Sequence, residues 1–192
     1  MCGIAAVFAY GSGAPPVDPC ELIAVRDHML SRGPDGKGLW VSDTGRIGLA
    51  HRRLSIIDLS PAGRQPMWDS TAKACIVFNG EIYNFEQLRR GFLTKSCDLR
   101  SQTDTEVLLQ LYLQEGVQAF SRLRGMYSFA IWDSMKHCLV LARDPFGIKP
   151  LYVADDGRTV RVASELGRTA QRPGGTSRSG RAESPPNRRR RT

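Results

Sequence analysis

Five apolar residues, Ile4-Ala5-Ala6-Val7-Phe8, follow Met1-Cys2-Gly3 with no turn signal between them. The run reads as a strand. It fixes the start of the chain in a core, where a terminus would otherwise fray. If Met1 is removed, Cys2 becomes the terminal residue and carries both a thiol and a free α-amino group. A thiol attacks as thiolate, and an ordinary pKa near ~8.5 leaves only a few per cent ionised at neutral pH, so it needs a base. An α-amino group with a pKa of roughly 7.7–8.0 suits that task. Of the three histidines, His28, His51 and His137, only His51 falls near a candidate site loop, so a Cys/His pair is the other arrangement the residues allow.

The 192 residues suffice for one domain with a real core, and 41% apolar with 24% charged residues is a globular composition. No apolar run approaches the ~20 residues of a membrane helix, and no basic segment precedes an apolar one as in a secretory leader. A cytoplasmic protein with no membrane partner is the expectation. The five cysteines, Cys2, Cys20, Cys75, Cys97 and Cys138, are odd in number and widely spaced, and include no Cys-x-x-Cys. This argues against a disulfide framework and a metal site. The net charge of +8 suggests nucleic acid until it is divided: Leu166–Thr192 holds eight Arg and one acid, leaving +1 for the rest. The tail is rich in Arg, Gly, Pro and Ser, cannot bury enough surface to order itself, and reads as disordered.

Asp18-Pro19-Cys20-Glu21 reads as a helix start, and Leu22, Val25 and Met29 recur at helical spacing, with Ile23 and Leu30 widening the stripe. Arg32–Gly36 is a tight loop with two glycines suited to positive φ. Strands are expected at Leu39–Val41, Ile47–Ala50, Leu54–Asp58 and Lys73–Phe78. Asn84 then opens a helix. Thr103-Asp104-Thr105-Glu106 matches a capping box ahead of Val107, Leu108 and Leu111, and Gln118–Leu123 is a short further helix. Strands return at Met126–Trp132, Cys138–Ala142, Leu151–Ala154 and Val160–Ala163. Strands, helices, then strands with hairpin-length connections predict an antiparallel α+β layered domain.

Four further positions carry candidate chemistry. Asn79-Gly80 offers a side-chain amide and a backbone N–H as a pair of oxyanion donors, although Asn-Gly taken alone is the commonest hairpin turn. Arg53 could hold a carboxylate in bidentate fashion, or be a solvated cation. Asp104, in the first turn of a helix, complements the helix dipole or binds an ammonium. A thiol, two oxyanion donors, a cation and acids together describe a site for an amino-acid amide, and glutamine fits.

The chain resembles the glutaminase domain of asparagine synthetase, a class II (N-terminal nucleophile) glutamine amidotransferase. The segments that carry the likeness run in family order from residue 1 to residue 165: Met1–Ile4, Arg32–Gly36, Ala50–Asp58, Phe78–Asn84, Thr103–Glu106, Gly125–Ala130, Ala142–Tyr152 and Ala163–Glu165. Leu54–Asp58 and Phe78–Asn84 point to the asparagine synthetase branch over the phosphoribosyl and glucosamine branches. The resemblance implies a four-layer αββα sandwich of antiparallel sheets over residues 2–165, with 166–192 as tail. It implies Cys2 as nucleophile with its own α-amino group as base. Asn79 and Gly80 would form the oxyanion hole, Arg53 would hold the α-carboxylate of L-glutamine, and Glu81 and Asp104 its α-ammonium. The backbone of Leu54, Ser55, Ile56 and Ile57 would line the pocket.

The glutaminase step implied this way uses no cofactor. ATP and magnesium would serve only the family's synthetase domain, whose Gly-rich phosphate loop does not occur here. The tail looks like out-of-frame or degenerate sequence. The chain alone is therefore expected to hydrolyse glutamine and not to make asparagine, unless a separate synthetase subunit supplies the rest; a homodimer is the other assembly considered. The competing readings are an inactive truncated fragment and a binding protein using Arg188–Arg191. Short Arg runs are usually solvated, which argues against nucleic acid.

Overall fold

In the computed structural model, which describes residues 1–56, 58–91 and 99–166, the N-terminal apolar run is the central strand of a sheet. This strand, β1 (Gly3–Ala9), lies between β3 (Ile47–Arg53) and β9 (Thr159–Ala163). The sheet extends outward to β2 (Gly36–Val41) on one side and β8 (Tyr152–Asp155) on the other, all antiparallel. A second antiparallel sheet has the order β4 (Met67–Trp68), β5 (Ala74–Ile82), β6 (Gly125–Asp133), β7 (Cys138–Arg143). Helix α1 (Pro19–His28) covers the outer face of the first sheet; α2 (Phe85–Gly91) and α3 (Asp104–Glu115) cover that of the second. This is the αββα sandwich.

The layering explains why β1 is apolar throughout and does not alternate. Ile4 and Ala6 pack against the second sheet, while Ala5, Val7 and Ala9 pack under α1 with Leu22 and Met29. A strand sandwiched on both faces needs apolar residues at both parities. The second sheet sorts likewise. Ala74, Ile76, Phe78, Phe129 and Ile131 face Leu108, Leu111 and Tyr112 of α3, while Cys75, Val77, Ala130 and Trp132 face the first sheet. Each Leu fully buried on α3 contributes roughly 1.5–3 kcal/mol.

Asp18 caps α1 by accepting the Cys20 N–H at 2.8 Å, with Pro19 at the first position. Thr103 caps α3 through the Glu106 N–H. The capping box is only half formed. The Glu106 carboxylate accepts from the N–H groups of Arg100 and Ser101 and from the Ser101 hydroxyl, and does not reach back to Thr103. The Thr103 N–H turns to the Ser101 hydroxyl instead.

Several expectations are corrected. The strand expected at Leu54–Asp58 is not formed by its described residues, Leu54–Ile56 and Asp58: β3 runs on to Arg53, where its pairing with β2 ends, and these residues have no neighbouring strand among the described residues. Asn79-Gly80 is not a turn. β5 continues through both to Ile82, because β6 offers an unbroken partner, Asn79 opposite Ser128 and Gly80 opposite Tyr127. Neither Gly33 nor Gly36 has positive φ. Gly33 is instead a close approach, since a Cβ there would lie 2.5 Å from the Arg52 carbonyl carbon. Leu30 lies beyond the end of α1 and is exposed. Of the helix expected at Gln118–Leu123, all but Leu123 falls in a 3-10 segment, Gly116–Arg122. Asn84 does not cap α2 with its side chain, which bonds instead to the backbone of Arg122 and Arg124. The tail and Ile57 lie outside the described residues, apart from Leu166.

Candidate functional site

Strand parity places the site. The residues of β3 that face the second sheet are Ile47 and Leu49, and the same parity carries on to His51 and Arg53. On β5 it carries Cys75 and Val77 on to Asn79 and Glu81. On β6 it leads from Trp132 and Ala130 to Ser128, and on β1 from Ile4 back to Cys2. At one end of the layer between the sheets, the apolar core therefore gives way to a thiol, an imidazole, a guanidinium, an amide, a hydroxyl and a carboxylate.

Cys2 is half-buried. Its Sγ accepts the Leu54 N–H at 3.4 Å and lies 3.7 Å from the Leu54 carbonyl oxygen. Burial pushes the thiol above its ordinary range; the Leu54 N–H, the chain's amino terminus and Arg53 act against that, and Asp104 adds to it. The thiol is thus protonated at neutral pH and requires a base. His51 is not free to be that base. It is buried, its Nε2 lies 3.2 Å from the Phe78 carbonyl oxygen, and burial lowers it to about 4. The neutral ring donates Nε2–H to that carbonyl and ties the two sheets together.

Asn79 is buried, and its Nδ2 has no acceptor among the described residues. Such a donor costs about 1–3 kcal/mol when left unpaired. Gly80 packs tightly on β6, where a Cβ would meet the Met126 carbonyl oxygen at 2.3 Å. The Glu81 side chain is exposed at the end of the strand. Asp104 opens α3 and is buried, its Oδ2 accepting the Ile82 N–H at 3.0 Å. Burial raises its carboxyl to about 6, the Ile82 and Thr105 N–H groups lower it, and the Glu81 charge raises it further.

The sign of this shift gives a testable consequence. Below about pH 6 the Asp104 carboxyl is neutral and cannot pair with an ammonium. An amino acid held there through its ammonium should bind roughly tenfold more weakly at pH 5 than at pH 7.5. Calorimetric titration at the two pH values checks this, and Asp104→Asn should remove the difference.

Arg53 donates from Nη1 to the Ser60 carbonyl at 3.0 Å and from Nη2 to the Asp58 carbonyl. These bonds hold the guanidinium in place and use two of its five N–H groups. Beside it opens a cleft of about 400 Å³, walled by Asp35, Lys37, His51, Arg53, Ser55 and Gln65 among others. Cys2, Asn79, Glu81 and Asp104 are not among its walls, so the cleft adjoins the thiol end of the site and does not contain it. Of the loop after β3, Leu54 touches the thiol through its backbone. The Ser55 N–H is fastened to Asp35 Oδ2 at 2.8 Å, and the Ile56 side chain is exposed. Ile57 lies outside the described residues.

Four residues join the site that sequence pattern did not single out. Arg32 donates Nε–H to the Cys2 carbonyl at 3.2 Å, and its buried Nη2 has no partner among the described residues. Asp35 fastens Ser55. Gln65 accepts the Phe78 N–H at 2.6 Å and donates to the Thr105 hydroxyl at 3.2 Å, joining β5 to α3 beside Asn79. Lys149 is buried, with Nζ 3.1 Å from the Met1 sulfur. Arg32 and Asp35 had a sequence signal in their tight Gly-Pro loop; Gln65 and Lys149 had no signal of periodicity or spacing.

The sequence profile of the glutamine amidotransferase domain matches residues 1–179. The chain is 43% identical over 166 residues to asparagine synthetase (glutamine-hydrolysing) 1 of Bacillus subtilis, covering 86% of this chain and 26% of the relative. It is 38% identical over 167 residues to asparagine synthetase B (glutamine-hydrolysing) of Escherichia coli, covering 86% of this chain and 29% of that protein. The chain thus spans between a quarter and a third of the length of these relatives. In structure it is similar to the glutamine phosphoribosylpyrophosphate amidotransferase from B. subtilis, with a TM-score of 0.70 at 21% identity over 85% of this chain and 42% of that one. At that identity the likeness speaks for the fold. Among the described residues, no helix is long and apolar enough to cross a membrane.

Proposed function

The chain belongs to the glutamine amidotransferase domain family, homologous to the glutaminase domains of asparagine synthetases, and on that premise we propose that it hydrolyses L-glutamine to glutamate and ammonia through a thioester on Cys2. The observation that carries the reading is the buried Nδ2 of Asn79, unpartnered among the described residues, on the same end of the interlayer as the Cys2 thiol. An unsatisfied donor in a native core calls for a partner that arrives with the reaction.

With Met1 removed, the Cys2 α-amine takes the thiol proton, and the thiolate attacks the carboxamide carbon of glutamine. The carbonyl π pair moves to oxygen, and the oxyanion is stabilised by Asn79 Nδ2–H and the Gly80 N–H. As the intermediate collapses, the C–N bond breaks and the leaving nitrogen takes the proton from the α-ammonium, giving ammonia and the thioester. Water, deprotonated by the same amine, attacks the thioester through a second oxyanion in the same hole. Glutamate leaves and the thiol is restored.

Arg53 holds the substrate carboxylate, Glu81 and Asp104 hold its ammonium, and the backbone of Leu54 to Ile57 lines the pocket. We further place the reaction in the cytoplasm. The free thiols of Cys2, Cys20, Cys75 and Cys138 support a reducing compartment. The ammonia passes to a synthetase module, on this polypeptide or a separate subunit.

Purified protein should release ammonia and glutamate in equal amounts from glutamine. An electrophilic glutamine analogue should add its mass to the peptide beginning at Cys2. A retained Met1, or an adduct on another cysteine, overturns the proposal.

A further inference from the structure

Lys149 is 5% exposed, yet makes no ion pair among the described residues. Its Nζ lies 3.1 Å from the Met1 sulfur, a weak acceptor. A buried ammonium is costly without an acid beside it. Its backbone is held firmly nonetheless. Asp144 Oδ2 accepts the Lys149 N–H at 3.0 Å, Asp144 Oδ1 accepts those of Phe146 and Ile148, and the Lys149 carbonyl accepts Arg143 Nε–H at 2.7 Å. The turn between β7 and β8 is built to aim one cation at residue 1. In the proposed reaction, residue 1 is removed and the group it leaves behind is the α-amine of Cys2.

We infer that Lys149 is a positioning residue for the base of the reaction: its charge keeps the Cys2 α-amine neutral, and so able to take the thiol proton, near neutral pH. The inference rests on the proposed reading of Cys2. Bond lengths along Met1 put Nζ no more than about 10 Å from the Cys2 nitrogen, within the range of a partly buried charge. The other charged groups about this end are Arg32 on the Cys2 carbonyl, Arg53 at the end of β3, Asp104 at the start of α3 and Glu81 at the end of β5. Glu165, just beyond the end of β9, the strand neighbouring β1, is 3.9 Å from His28. Asp104, the acid that acts on the thiol, and Glu81 beside it are the ones a substrate ammonium would engage. A cation disfavours a second cation, so the amine of the native chain titrates below that of a chain without Lys149.

The test uses chain labelled with 15N-cysteine, with Met1 removal verified by mass. The amine resonance is followed from pH 5 to 10 in wild type, Lys149→Met and Lys149→Arg. The expected result is a midpoint roughly half to one unit higher in Lys149→Met and restored in Lys149→Arg. The acid limb of kcat/KM should rise by the same amount, giving a roughly three- to tenfold loss at pH 6 and none at pH 9. Lys149→Gln makes the same neutralisation if the methionine variant fails to fold. An amine midpoint unchanged within about 0.2 unit overturns the inference. If none of the chains hydrolyses glutamine, the functional proposal fails, and the amine titration still decides the role of Lys149.

Discussion

Cys2→Ala should lower ammonia release from glutamine by about a thousandfold or more, while the melting temperature stays within about 3 °C of wild type. The two expectations have different origins. Chemically, no other described residue is placed to replace the thiol. Cys75 is buried with its thiol pushed far up by desolvation, and Cys20 and Cys138 lie elsewhere on the fold. Structurally, Cys2 stands just before β1 and is half-buried, and its side chain contributes only long contacts to the backbone of Leu54. The strand behind it is anchored by residues that the substitution leaves alone. The Ile4 N–H bonds to the Ser164 hydroxyl, the Ser164 N–H to the Ile4 carbonyl, and Ile4 and Ala6 are fully buried. A colorimetric ammonia assay and a thermal melt on one preparation check both. Activity above a few per cent of wild type would remove Cys2 from the mechanism.

Asn79→Ala should reduce kcat by about 10²–10³-fold with KM nearly unchanged, since its amide is aimed at charge that develops only in the transition state. A structural asparagine at 1% exposure would normally be expensive to remove. Here the direction reverses, because Nδ2 has no partner among the described residues and its truncation relieves an unpaired donor worth about 1–3 kcal/mol. The small cavity left behind offsets part of that gain. The variant is therefore expected to melt no lower than wild type while it loses turnover, the pattern of a site that trades stability for activity. Steady-state kinetics with a parallel melt decides. A melt lowered by more than about 5 °C would make Asn79 a packing residue, and an unchanged kcat would take it out of the oxyanion hole.

The legible part of this protein was the part ruled by local pattern. Apolar runs and turn residues place β1, β2, β5–β9 and α3 to within a few residues. The Asp18 and Thr103 caps are both used. Two misreadings share one cause. Leu54–Asp58 has a strand's composition, but a strand needs a neighbour, and β2 has already ended at Gly36 opposite Arg53. Asn79-Gly80 has a turn's composition, but β6 runs alongside and keeps the strand going. In each case the residues' own preference was overruled by whether a partner edge was present. The positions of Gly33 and Gly80 belong to the same class: their lack of a side chain answers to backbone passing nearby.

Cys2, Arg53, Asn79, Gly80, Glu81 and Asp104 could be picked out from chemistry and order along the chain. Arg32, Gln65 and Lys149 could not be given a role that way, because each acts through a contact with a residue 13 to 148 positions away. Sequence was enough to specify the layers and the family, and to nominate a nucleophile and its donors, since those depend on residue type and short-range pattern. Which donor is left unpaired, which histidine is neutral and tied to a carbonyl, which carboxyl rises to about 6, and which lysine points at the first residue were set by folding. These depend on burial and on distances between strands that no stretch of chain contains. The first residues illustrate the division: their order makes Cys2 a possible nucleophile, and packing from β3, β5, α3 and the β7–β8 turn gives that thiol its surroundings.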